Sequence, residues 1–300
     1  MDSVDGLLLL QRDHDMAVRL FHPFTRDIVE LPSLTTLRPQ LTPLFNPVER
    51  ALMTEVEFLQ IMRQVCTAVS FNPDPAADGV VTVMLAFKTD LVQWVAFATS
   101  EDQRWALSSW QTTTHRSQIL SFQGKIYFLT NSRVWMVEPP PQRRRLRNDD
   151  CHHQSTMASS SLNPPKLIAT CPWDEIRPPF FMAECDSEIL LVSRTKHSRC
   201  QVQVHRLADL ILLGGSSVPL TSIGGNSLFL WQRNICVSSK AHPTIAADSL
   251  VLMDPSFKHI GQYHLTNHTW SLATDGNILD GPIPSPYTLI HHIYSCCDRY

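Results

Sequence analysis

Through most of its length the chain repeats with a period near two, and small polar residues cut that pattern into short runs. This constrains the fold more than any other feature. A period of two puts alternate side chains on opposite faces of a strand, whereas a helix repeats near 3.6. In "MAVRLFH", Met16, Val18 and Leu20 share one face. "VVTVMLAF" (80–87) is apolar almost throughout, as a strand covered on both faces would be. "WVAFATSEDQRWALSSW" (94–110) reads as strand, polar turn, strand, and "CQVQVHRL" alternates cleanly. Breaks fall at Gln123-Gly124, Asn131-Ser132, Asp186-Ser187, Gly224-Gly225-Asn226 and Arg233-Asn234. Gly, Asn and Asp tolerate the positive φ that tight turns need.

Four places carry a turn followed by an apolar strand: "SVDGLLLL", "SFQGKIYFL", "AECDSEILLV" and "SIGGNSLFLW". The turns near 186 and 225 are 39 residues apart, and those near 124 and 186 are 62 apart. Between the latter lies "PPPQRRRLRNDDCHHQSTMASSSLNPP" (139–165), which is Pro-, Arg- and Ser-rich. Such a segment buries too little apolar area to offset chain entropy and is expected to be a disordered insertion. Without it both intervals approach 40 residues, the length of a four-stranded propeller blade. The expected fold is therefore all-β and β-propeller-like, a single domain over 1–300 with room for five to six blades. An incomplete or N-terminally truncated ring, a sandwich, and two β-domains are the alternatives. "RLFHPFTRDIVELP" (19–32) is then one hairpin of a blade, strand, tight turn, strand, which needs neighbouring blades to cover its faces.

Two stretches read as helical. "NPVERALMTEVEFLQIMRQV" repeats Val48, Leu52, Val56, Leu59 and Met62, with Asn46 as cap and Pro47 first, giving a short helix near 47–64. "SPYTLIHHIYSCC" gives a C-terminal helix near 286–296, with Leu289, Ile290 and Ile293 on one stripe.

The totals exclude several classes. The net charge of −3 over 300 residues argues against a nucleic-acid or anionic-membrane surface. No run of some 18 apolar residues exists, and "MDSVDGLLLLQRD" lacks the basic start of a signal peptide. Eight cysteines without framework spacing suggest reduced thiols, and hence a cytoplasmic or nuclear protein. Asn267-His268-Thr269 fits a glycosylation sequon, by chance on this reading.

No motif carries chemistry. G-x-S-x-G, H-E-x-x-H and phosphate-loop patterns are missing from the sequence. Gly214-Gly215-Ser216 and Gly224-Gly225-Asn226 are turn chemistry, with no helix pattern after them. Cys151-His152-His153 with Cys171 lacks paired ligand spacing, and His291-His292 with Cys296-Cys297 reads as a packed helix end. Arg143, Arg144, Arg145 and Arg147 are followed by Asp149 and Asp150, as on a solvated loop. Trp94, Trp105, Trp110, Trp135, Trp231 and Trp270 are expected in strands, as blade core. No catalytic, cofactor-binding or metal residue is assigned, and no cofactor is expected.

"DGLLLL…LFHPFTRDIVELP" resembles the "G-W-L-x-L … L-x-N-P-F-T-G-x-x-I-x-L-P" element of the plant KIB-type β-propeller family, a domain common in grass F-box proteins. "GKIYFL", "VWMVEPP", "SIGGNSLFLW", "CVSSKAHPTIAADSLVLMD" and "GPIPSPYTLIHHIYSC" resemble its later elements, in order. The resemblance runs from about residue 4 to 298. Arg26 stands where the family turn usually has Gly, so a positive φ there would strain it. Family members usually carry an F-box before the first of these elements, and this chain starts almost at that element.

The resemblance implies a non-enzymatic protein–protein interaction module, a substrate-recognition propeller of F-box type without a visible F-box. Its partner is an unspecified protein. Direct binding to a ubiquitin-ligase adaptor is not expected, nor is binding to nucleic acid or membrane. The alternatives are a small-ligand binder or enzyme that uses the propeller channel, and a truncated, poorly folding gene product.

Overall fold

The computed structural model describes residues 2–4, 6–12, 14–44, 58, 65–71, 80–88, 92–113, 118–130, 132–141, 161–171, 181–195, 201–215, 217–231, 234–242, 244–254, 259–273, 290 and 293. These residues form five sheets. The first runs β1 (Asp2–Val4), β2 (Leu7–Gln11), β3 (Val18–Phe21) and β4 (Ile28–Leu31), in chain order. The second holds β5 (Val65–Phe71), β6 (Val81–Lys88), β7 (Val92–Thr99) and β8 (Ala106–Leu107), with β9 (Thr112–Thr113) also on β7. The third is β10 (Gln118–Phe122), β11 (Lys125–Thr130), β12 (Arg133–Val137) and β13 (Lys166–Thr170). The fourth is β14 (Phe181–Cys185), β15 (Glu188–Arg194) and β16 (Val202–Arg206). The fifth has the order β18-β17-β19-β20-β21, from β17 (Asn226–Leu230), β18 (Ile235–Ser238), β19 (Ser249–Asp254), β20 (His259–His264) and β21 (Thr269–Leu272). Local antiparallel meanders of about four strands are the blades of a propeller, and the expected all-β, propeller-like class is what the chain adopts.

Two compact units make up the chain: Met1–His115 with Ser121–Phe128 and Trp135–Lys166, and Arg116–Leu120 with Leu129–Val134 and Leu167–Tyr300.

In the first unit the alternation works as read. Met16, Val18 and Leu20 are all buried, and so is every residue of 81–87. A segment that the period-two pattern does not reveal follows β4. A 3₁₀ turn (Leu34–Leu37) runs into α1 (Arg38–Leu41) and places Leu34, Leu37 and Leu41 in the core. Ser33 caps it by accepting the Thr35 N–H. The segment also receives Trp105. The indole N–H donates to Pro32 O at 2.7 Å, and the Gln40 amide donates to Trp105 O at 2.7 Å and accepts the Leu107 N–H. Trp105 is fully buried. Burying an aromatic of that size contributes about 4–6 kcal/mol of transfer free energy by area.

In the second unit one cluster joins Val192, Val204, Leu228, Leu250 and Tyr263. Phe229 and Val251 face the other way, into a second cluster with Ile260. β17 and β19 are thus covered on both faces.

Three of the four repeated turns are two-residue hairpins, and the fourth is not. Val4 pairs with Leu7 around Gly6 (φ +81°). β10 joins β11 through Gln123 and Gly124, at φ +48° and +71°. Cys185 pairs with Glu188 around Asp186 and Ser187, at φ +49° and +62°. Two successive positive φ values match the right-handed twist of the flanking strands. Gly224-Gly225 instead leads into a strand flanked by β18, antiparallel, and β19, parallel. That turn is fixed by side chains rather than by a hairpin ladder, as described below.

The hairpin read in 19–32 is β3–β4, closed by six residues rather than a tight turn, because Phe21 pairs with Ile28. Trp94, Trp135 and Trp270 lie in strands; Trp105, Trp110 and Trp231 lie just outside them, a correction to the expectation. Their indoles are long enough to reach cores or carbonyls from strand ends. The helices expected near 47–64 and 286–296 lie outside the described residues apart from Phe58, Ile290 and Ile293, each of which is helical. Of the expected insertion 139–165, residues 142–160 lie outside them. At its far end Leu162 is buried, and its carbonyl accepts the Trp110 indole N–H at 3.1 Å.

Candidate interaction surface

The second unit gathers its loops at one rim. Cys185 opposite Glu188 puts the Asp186-Ser187 turn there. Asn226 opposite Ser238, Ser227 beside Ser249, and Ser249 opposite His264 bring the start of β17, the end of β18, the start of β19 and the end of β20 to one edge of the fifth sheet. The two sheets meet at that rim, because the Asn226 amide donates to Asp186 Oδ2 at 2.6 Å.

A single carboxylate oxygen holds the Gly-Gly turn. Asp248 Oδ1 accepts Ser222 Oγ at 2.9 Å, the Ile223 N–H at 2.7 Å and the Gly225 N–H at 3.0 Å. Gly224, at φ +72°, is strained and tight for a side chain: a Cβ would stand 3.0 Å from Asp186 Oδ2, which would have to give by a few tenths of an ångström. The Leu265 N–H donates to Asp248 O at 2.9 Å, and Ser239 Oγ donates to Gly225 O. The rim is thus a set of loops tied to one another, the rigid kind of support on which binding residues are usually carried. The Tyr263 hydroxyl meets His268 Nδ1 there at 3.1 Å, and burial pushes the phenol pKa up.

β16 ends at the same rim, with Arg206 opposite Leu190 and its guanidinium on Glu188 at 2.7 Å. The chain then turns into a short helix, α2 (Leu207–Leu212), which the alternation of "VQVHRLAD" does not predict. Leu207 and Leu210 are buried. Ile211, Leu212, Leu213 and Val218 are 47, 80, 61 and 80% exposed. The helix stops at Gly214 and Gly215, both at positive φ, and the Gly215 N–H returns to Leu210 O at 2.9 Å. The turn chemistry read from Gly214-Gly215 holds. Four large exposed apolar side chains within eight residues of chain are a feature expected of a binding face. The signal for it was present in "LADLILLGG", a run apolar on every helical face, but it is too short to stand out from strand patterning.

The first unit exposes a smaller feature of its own. At the tip of β3–β4, Phe24 is 88% and Ile28 55% exposed, with Phe24 set edge-on against His22.

Other positions singled out by sequence fall as follows. Cys171 is buried, and burial pushes its thiol up to about 11, which disfavours the thiolate that metals bind. Cys151, His152, His153, the arginines 143–145 and 147, His291, His292, Cys296 and Cys297 lie outside the described residues. Among the described residues no three His, Cys, Asp or Glu side chains group as metal ligands, and no helix is long and apolar enough to cross a membrane.

Blade-like meanders carrying tied loops at a rim define a protein of the β-propeller class, the architecture of many interaction modules. A family model described as "KIB1-4 beta-propeller" matches residues 1–267. The chain belongs to that family, as the resemblance implied. No match to a curated protein was found.

Proposed function

We propose that the chain is a non-enzymatic protein–protein interaction module that docks a partner protein on the rim of its second unit. The observation that carries this is the exposure of Ile211, Leu212, Leu213 and Val218, on the stretch of chain that runs into the turn tied by Asp248. Burial of these side chains in a partner would supply the apolar centre of an interface, with Asp186, Lys240 and His242 as its polar edge. Membership of the KIB1-4 family supports an interaction role. By the same lineage, the partner is a protein delivered for ubiquitination when an F-box is joined to the propeller.

The test compares wild type with Leu212→Glu, Leu213→Glu and a remote Arg19→Ala control in quantitative capture from plant extract. The proposal expects a specific set of proteins lost from both rim variants and kept by the control, with all melting temperatures alike. Equal capture by all four chains overturns it, as does turnover of a small molecule by the purified wild type. A non-cooperative melt of the wild type overturns it in favour of a poorly folding product.

A further inference from the structure

Beneath the rim, Cys185 at the end of β14 and Cys236 in β18 stand with their sulfurs 2.9 Å apart. They come from different sheets and are 51 residues apart in sequence. Cys185 is buried, while Cys236 is half-buried and so the one open to solvent. A disulfide needs ~2.05 Å between the sulfurs, so less than 1 Å of approach separates this thiol contact from a bond. Both cysteines are held from outside the pair. Cys185 is the last residue of a paired strand, and Cys236 is paired with Leu228. The Cys236 S–H donates to Cys185, which raises the Cys236 pKa and lowers that of Cys185, so Cys236 holds the proton the pair shares.

We infer that Cys185 and Cys236 are a redox modification site, converted by a small-molecule disulfide such as oxidised glutathione into one intramolecular disulfide that staples the fourth sheet to the fifth. Cys236, the accessible sulfur, attacks the small disulfide. One S–S bond breaks, a mixed disulfide forms at Cys236, and the first small thiolate leaves. As it does so, the Cys236 proton passes along the existing S–H···S contact to Cys185, which reacts as the thiolate of the pair. Cys185 then attacks the Cys236 sulfur, releases its own proton to water and expels the second small thiolate. A protein thiol–thiolate pair is oxidised to a disulfide, one small disulfide is reduced to two thiolates and one proton reaches water, so atoms, charge and electrons balance. Accessibility sets this order, and the proton sharing supplies Cys185 as the base for the first step. The S–H of Cys236 donates to Cys185 and holds the Cys185 pKa low, then burial and the nearby Asp186 and Glu188 oppose it. Cys185 is thereby poised as the resolving sulfur.

The inference does not depend on the partner-docking proposal and is tested on the purified full chain. The chain is treated with oxidised glutathione, its free thiols are alkylated, and peptides are mapped by mass spectrometry. The expected result is a linked pair carrying Cys185 and Cys236, two fewer alkylated thiols, reversal by dithiothreitol, and a rise in Tm of roughly 5–10 °C on oxidation. Cys236→Ser, confirmed as folded by a cooperative melt, should lose the oxidation-dependent rise while keeping the reduced Tm within a few degrees. If that variant fails to fold, the wild-type peptide map alone decides. Alkylation of both cysteines after oxidation, glutathione adducts without a link, or a link from either to another cysteine overturns the inference.

Discussion

Asn226, at the start of β17, donates its side-chain amide to the carboxylate of Asp186 at 2.6 Å and so joins the turn of one sheet to the first residue of the next. The same amide group also donates to Ile223 O at 2.9 Å. Asn226 is only 5% exposed, so neither bond is easily replaced by water. Asn226→Asp keeps the shape, removes both donors and sets two carboxylates in contact. The variant should lose about 2–4 kcal/mol at neutral pH by urea denaturation. The loss should shrink as pH falls through the carboxylate range, because protonating one partner removes the repulsion and restores a donor. A loss independent of pH between 4 and 7 would mean that the pair does not carry it.

Arg26 sits at φ +64°, the value the family's glycine would adopt without strain. Its N–H still closes the turn on His22 O at 2.8 Å, and the His22 N–H reaches Asp27 O at 2.9 Å. The backbone geometry is therefore imposed by the hairpin and not by the residue. Arg26→Gly should stabilise the chain by about 1 kcal/mol, read as a higher urea midpoint at unchanged slope. No gain would show that the arginine side chain offsets its own backbone strain.

Gly124 has a stricter requirement. It lies at φ +71°, and a Cβ there would fall 2.9 Å from Val69 O and 3.2 Å from Ser70 Cβ. Strain and overlap act together against backbone that cannot swing aside. Gly124→Ala should cost about 2–3 kcal/mol, against less than about 1.5 for Gly6→Ala, whose Cβ position is open. Thermal melts of the two variants side by side provide the check.

How much of this was legible beforehand follows from which forces act locally. Strand alternation and the turns at Gly6, Gln123-Gly124 and Asp186-Ser187 are set by nearest neighbours, so Val18, Leu20 and residues 81–87 could be placed from spacing alone. The strain at Arg26 was also readable, because a turn's φ depends on a few residues. α2 and the segment 34–41 were not. Their helicity is decided by what Leu34, Leu37, Leu207 and Leu210 bury against, which is tertiary. The parallel pairing of β17 with β19 escaped for the same reason, since which strands become neighbours in a sheet is decided by tertiary packing. Asp248 gave no sign either: its three donors lie 23–26 residues upstream.

Acid should release one local contact before the core responds. The Arg12 guanidinium, hydrogen-bonded to Asp15, draws that carboxyl from 3.8 to about 2, against a smaller opposing effect of burial; the Ala17 N–H adds to the lowering. A folded pKa below the unfolded one means that the contribution is complete above about 4 and is lost as pH falls through about 2. Both side chains are well exposed, so the effect on stability is small and screened by salt. The sharper readout is the carboxyl ¹³C shift of Asp15. Arg12→Ala should move its midpoint back up towards the ordinary value, leaving only the part due to Ala17. An unmoved midpoint would assign the lowering to the backbone instead.

Asp248 offers a test of whether the rim is one tied object. Oδ1 alone accepts Ser222 Oγ and the N–H groups of Ile223 and Gly225, while the backbone of Asp248, at φ +50°, is held through Leu265. Asn at this position keeps an acceptor oxygen in place and tolerates the positive φ; Ala keeps neither. Asp248→Asn should therefore cost about 1 kcal/mol and Asp248→Ala about 3 kcal/mol, by urea denaturation. Amide hydrogen exchange separates a local effect from a global one. In the Ala variant, Ile223 and Gly225 should lose protection by a larger factor than the amides of β6. Equal loss everywhere would mean that Asp248 supports overall stability and not the loops of the rim.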